Sequence, residues 1–143
     1  MLSLTEAVHI NAPPDRVWQV TVGVERWPEF VPTFTQVQRT DDGAFGLGKS
    51  ARVTPKGFVG SVWRVTKFDD VRSYTWESAA LPGLHFAGSH TVEAEDGGTR
   101  LTLDLIVSGW LGTLTSPITS RTFRRNLKIE ADAFKVFCEA KPS

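Results

Sequence analysis

The feature that most constrains this chain is a change of hydrophobic period late in its length. From Thr33 to Ser108 apolar residues alternate with polar ones, as in half-buried strands. Leu101-Thr102-Leu103-Asp104-Leu105-Ile106-Val107 is the clearest run, with odd positions apolar and Thr102 and Asp104 facing the other way. Beyond it, Phe123, Leu127, Ala131, Phe134 and Cys138 recur at helical spacing. A run of strands followed by one long amphipathic helix describes a sheet with a helix laid on one face.

The rest of the chain fits that plan. Val8 and Ile10 share a face in a first strand over Leu4 to Asn11, and Ala12-Pro13-Pro14-Asp15 opens a helix carrying Val17, Val20 and Val24. Gly23 and Pro28 break it, and a second short helix carries Trp27 and Phe30 to Pro32. Turns at Asp41-Asp42-Gly43, Pro55-Lys56-Gly57, Phe68-Asp69-Asp70, Leu81-Pro82-Gly83 and Glu95-Asp96-Gly97-Gly98 divide the middle into about six strands. Parity turns Trp63, Val65, Tyr74 and Trp76 inward, together with Phe86, Gly88, His90, Val92 and Ala94. Ser116-Pro117 reads as cap and first turn of a helix running to about Glu139. The expected fold class is α+β, a curved antiparallel sheet of about seven strands around a long C-terminal helix, in one domain over 1–143.

Composition narrows the function classes. Sixteen basic and sixteen acidic side chains balance, which gives no sequence-wide attraction to nucleic acid. Cys138 is the only cysteine, so no intramolecular disulfide or multi-thiolate metal site can form. No signal peptide or membrane-spanning segment is visible, and the expected location is the cytoplasm. Five Trp and nine Phe stand against one Tyr, an excess suited to a core or to aromatic pocket walls.

Three motifs carry a resemblance. They are His9-Ile10-Asn11-Ala12-Pro13-Pro14-Asp15-Arg16-Val17-Trp18, then Arg26-Trp27-Pro28-Glu29-Phe30-Val31-Pro32, then Gly97-Gly98-Thr99-Arg100-Leu101-Thr102. Together with Gly109 before the long helix, they resemble the START-like or helix-grip superfamily, in its polyketide cyclase/dehydrase and lipid transport branch. The resemblance implies a cavity between sheet and helix for a small hydrophobic or amphipathic molecule. The alternatives are a cyclase, aromatase or dehydratase using a pocket acid or base, and a co-chaperone-like or lipid-delivery interaction domain. No cofactor is implied, and the chain is expected to be a monomer or homodimer.

The candidate lining residues are Trp27, Phe30, Trp63, Tyr74, Trp76, Phe86, His90, Trp110 and Phe123. His90 is the candidate acid/base or ligand-orienting group, against the plainer reading of a hydrogen-bonded core histidine. His85 falls on the opposite strand face, and no metal site is expected. Glu6 is in register with Val8 and Ile10, which suggests a strand end open to water. Gly43-Ala44-Phe45-Gly46-Leu47-Gly48-Lys49-Ser50 satisfies the P-loop pattern, but Pro55 and Gly57 forbid the following helix that phosphate binding needs. A glycine-rich hairpin loop is expected there. Arg121, Arg124, Arg125 and Lys128 form a basic cluster on the final helix, read as a solvated face or an anionic-lipid or partner contact.

Overall fold

Alternation with one buried face gives seven strands, joined in one antiparallel sheet. The computed structural model describes residues 1–140. The strands are β1 (Leu2–Ile10), β2 (Phe34–Arg39), β3 (Ser50–Pro55), β4 (Ser61–Asp69), β5 (Ser73–Leu81), β6 (Leu84–Glu95) and β7 (Gly98–Ser108), in the order β1-β7-β6-β5-β4-β3-β2. β2 to β7 form a meander, and β1 closes on β7 with Val8 opposite Leu101 and Leu4 opposite Leu105. Register shifts at Val65/Lys67 and Ala79/Leu81 add local twist. Helix α1 (Pro14–Val22) and a 3-10 helix (Val24–Glu29) follow β1, and α2 (Trp110–Glu139) closes the chain's described part. This is the helix-grip architecture.

Tertiary ties fix the small helices. Pro14 sits in the first turn of α1, where its missing N–H costs nothing. The hydroxyl of Tyr74 donates to the Thr21 carbonyl at 2.8 Å, pinning the end of α1 to the sheet. The hydroxyl of Thr99 donates to the Ala12 carbonyl at 2.7 Å and pins its start.

Helix α2 begins at Trp110, well before the expected Ser116. Gly109, at φ 88°, makes the reversal that L-residues resist, and the Leu111 N–H donates to the Gly83 carbonyl at 2.9 Å. Pro117 therefore lies inside the helix. Its ring leaves the Thr113 carbonyl without the usual N–H. The Ser116 hydroxyl takes that place, donating to Thr113 O at 3.1 Å. Ser116 thus compensates for the proline rather than capping a helix start.

Glu6 is also placed differently from expectation. It lies at the centre of β1 opposite the buried Leu103, half-buried on the concave side. β1 is an edge strand, so the carboxylate is close to solvent at the sheet's border instead of at a strand end.

The loop Gly43–Lys49 runs directly into strand β3. Lys49 donates its ammonium to the Asp42 carbonyl at 2.8 Å. Without a helix N-terminus there is no array of amides for phosphate. Equilibrium dialysis with ATP or GTP should show no micromolar binding. Binding at that level, abolished by Lys49→Ala, would contradict this account.

Candidate functional site

The concave face of the sheet is built by parity. β4 contributes Trp63 and Val65, β5 contributes Tyr74, Trp76 and Ser78, β6 contributes Phe86, Gly88, His90 and Val92, and β7 contributes Leu101, Leu103, Leu105 and Val107. Helix α2 lowers Phe123, Leu127, Glu130, Ala131 and Phe134 toward it. The face divides into two unlike halves.

In the first half the rings close on one another. Trp27, Tyr74, Trp76, His90 and Phe134 are each at most 4% exposed. Tyr74 stacks on His90 at 4.9 Å between centroids, and Trp27 lies on His90 at 5.2 Å. Phe134 meets Trp27 edge-on at 5.7 Å. His90 Nε2 lies 3.3 Å from Glu130 Oε1, while its Nδ1 is buried with no hydrogen-bond partner. Burial lifts the Tyr74 phenol well above its ordinary pKa, and the nearby Glu130 carboxylate adds to the effect. Trp27, a candidate lining residue, is thus part of the closed core. The 3-10 helix carries that indole inward, where its Nε1 donates to the Val20 carbonyl at 3.3 Å. His90 is inward, as parity requires, but in a filled aromatic cage.

The second half is looser. Trp63 stacks with Phe86 at 5.8 Å, and Phe86 meets Phe123 edge-on at 5.8 Å. All three rings are half-buried, as is Leu105. Gly88 leaves space that the Trp63 and Trp76 rings occupy, each 3.5–3.7 Å from where a Cβ would stand. Ser78 lies opposite Phe86, and its buried hydroxyl has no partner. An unpartnered buried polar atom is uncommon in a finished core and invites an explanation.

The remaining candidates lie apart. Phe30 stacks on Phe137 at 4.1 Å, beside a surface cleft of about 480 Å³ that Arg16, Gln19, Val20 and Arg26 also line. A second cleft, of about 510 Å³, runs between α1 and the β2–β3 loop past Trp18, Arg39 and Phe45. Neither cleft opens between sheet and α2. Trp110 is corrected outright: it starts α2 on the outside, over the Gly83 turn, 68% exposed. Its misplacement follows from the earlier start of the helix. His85 points outward and pairs with Glu77 at 3.1 Å, and His9 pairs with Glu95 at 3.3 Å, so the three histidines do not converge.

Two members of the arrangement had gone unmarked in the sequence. Ser78 shares the parity of Tyr74 and Trp76, which is enough to turn it inward. Glu130 stands four residues before Phe134 and three after Leu127, at the edge of the buried helix face.

Comparison with known proteins gives the following. The sequence pattern of the family described as "Polyketide cyclase / dehydrase and lipid transport" matches residues 1–139. No functionally curated protein matches. Among solved structures, TTHA0849 from Thermus thermophilus aligns with a TM-score of 0.78 at 17% identity, over 99% of this chain and 100% of that one. A hypothetical protein, jhp0584, from Helicobacter pylori aligns with a TM-score of 0.82 at 13% identity, over 96% and 88%. The Zhui aromatase/cyclase from Streptomyces sp. R1128 aligns with a TM-score of 0.73 at 18% identity, over 96% and 93%. At such identities these likenesses establish the fold.

Proposed function

The chain belongs to the polyketide cyclase/dehydrase and lipid transport family, and from that premise we propose that it binds a small apolar or amphipathic molecule between the sheet and α2, at the half-buried rings of the looser half. The observation that carries this reading is the half-buried trio Trp63, Phe86 and Phe123 above the unpartnered Ser78 hydroxyl. These residues supply apolar walls and one placed polar group, the composition of a small-molecule site. Burial of apolar surface supplies roughly 25 cal/mol per Å² before the costs of association. Ser78 orients the polar end of the ligand, and the closed cage around His90 forms the floor.

An environment-sensitive apolar dye should bind the folded protein and be displaced by fatty-acid-like or polycyclic aromatic compounds. Phe86→Ala and Phe123→Ala should each weaken binding about tenfold, the equivalent of about 1.4 kcal/mol. A dye that fails to bind, or that ignores both substitutions while the fold is intact, defeats the proposal.

One observation favours a second reading. The His90–Glu130 pair, with side chains 6% and 12% exposed, has the form of an imidazole held by a carboxylate. In a cyclase or dehydratase this pair would serve as acid and base once the aromatic cage around His90 opened to the substrate. His90→Gln keeps polarity and approximate size but removes the imidazole that could give or take a proton. A carrier keeps its affinity within a few-fold of the parent, whereas an enzyme of this kind still binds its substrate and loses turnover.

A further inference from the structure

A second feature lies at the end of the molecule where β7 passes into α2. By the alternation of the meander, the β3–β4 loop, the β5–β6 turn and the first turns of α2 lie at this same end of the sheet. The β5–β6 turn touches α2 directly, with the Trp110 ring over Gly83. These segments expose large apolar side chains: Phe58 61%, Val59 91%, Leu81 56%, Trp110 68%, Leu114 69% and Ile118 82%. Isolated exposed apolar residues need no explanation, but a contiguous set does. Trp110, Leu114 and Ile118 follow four-residue spacing, so they form one stripe along the helix.

The charges on the same helix are one-sided. Arg121, Arg125 and Lys128 continue the outward face of that stripe, with Arg124 beside it, and all four are exposed. Residues 109–129 contain no Asp or Glu. Lys128 pairs with Asp132 at 3.4 Å. Among the described residues, Arg121, Arg124 and Arg125 enter no ion pair. The β3–β4 loop adds Lys56. The opposite end carries the acidic turns, with Asp41, Asp42, Asp69, Asp70, Glu95 and Asp96. Those turns are interspersed with Arg39, Lys49, Arg72 and Arg100, of which Arg39 and Arg100 pair with Asp41 and Glu95, whereas the α2 stripe from Trp110 to Lys128 is apolar and basic with no acid among it.

We propose that the basic, apolar end docks on a membrane surface containing anionic phospholipid. Trp110, Leu114 and Ile118 enter the interfacial layer, and Arg121, Arg124, Arg125 and Lys128 face the headgroups. An amphipathic helix face with apolar and cationic residues is the form that lies in such an interface. The cationic residues that continue the apolar stripe favour an anionic lipid surface as its occupant. The charge set complements an anionic leaflet, and each basic residue near one strengthens partitioning about fivefold. The proposal holds whether or not a ligand binds between the sheet and α2.

The test is co-sedimentation of the full chain with phosphatidylcholine vesicles, with and without phosphatidylglycerol. Binding should require phosphatidylglycerol and fall with added salt, as screening demands. Leu114→Glu with Ile118→Glu should abolish it. Arg121→Glu with Arg125→Glu should weaken it about twentyfold or more. These positions are exposed, so the far-ultraviolet spectrum and dye binding should be unchanged. Absence of binding at low salt, or binding indifferent to both double variants, overturns the proposal. A dimer that Ile118→Glu dissociates, without vesicle binding, would assign the face to a second copy of the chain and also overturn it.

Discussion

Trp27→Ala is expected to lower the free energy of unfolding by about 3–5 kcal/mol, the range for truncating a buried aromatic ring. Trp27 is 1% exposed and touches four other rings: Phe34 at 5.5 Å, Trp76 at 5.5 Å, His90 at 5.2 Å and Phe134 at 5.7 Å. Those partners come from β2, β5, β6 and α2. The void left behind therefore borders several elements at once and cannot be closed by one of them moving. The 3-10 helix would also lose its anchor, since Trp27 is its principal buried side chain besides Val24. Urea titration followed by far-ultraviolet circular dichroism measures the effect. The midpoint should fall with the slope unchanged, and the thermal midpoint should fall by roughly 10 °C. A loss under about 1 kcal/mol would mean that the cage does not organise the fold as described.

Gly109→Ala should be comparably damaging, for a different reason. At φ 88° and ψ 162° the residue occupies a region that is essentially glycine's alone. A Cβ there would lie 2.2 Å from the Gly83 carbonyl oxygen and 2.7 Å from its carbon. Backbone strain and a backbone clash act together, so a loss of about 3 kcal/mol or more is expected. The Leu111–Gly83 hydrogen bond that seats the start of α2 should be disturbed as well. Gly46→Ala is the control. It has nothing within 4 Å and no positive φ, and should change stability by no more than about 0.5 kcal/mol. Equal losses in the two variants, compared in the same urea titration, would refute the account of the β7–α2 junction.

The strands are readable because the sheet buries one face. Leu101, Leu103 and Val107 are inward and buried, and Thr102 and Asp104 are not. The same parity places Trp76, Phe86 and His90 on the concave side. Parity carries no information about what arrives from opposite. Whether His90 faces a void or a wall depends on Trp27 and Phe134, which come from two other parts of the chain. The start of α2 is misread because Ser-Pro is a good helix beginning in isolation. The use of Ser116 to cover the Thr113 carbonyl is a local compensation with no periodic signature. That error carries Trp110 to the wrong side, since an aromatic ring announces burial only when its element is correctly phased.

The pairing of β1 with β7 also bears on how the chain is made. Thr5 and Asp104 are neighbours across the sheet yet 99 positions apart. At roughly 5–20 residues per second on a ribosome, β1 waits about 5–20 s before its partner is synthesised. During that interval Leu4, Val8 and Ile10 have no sheet to join, and the meander from β2 to β6 lacks the edge that finishes it. Closure of the sheet waits for β7, after the whole meander, and α2 follows it.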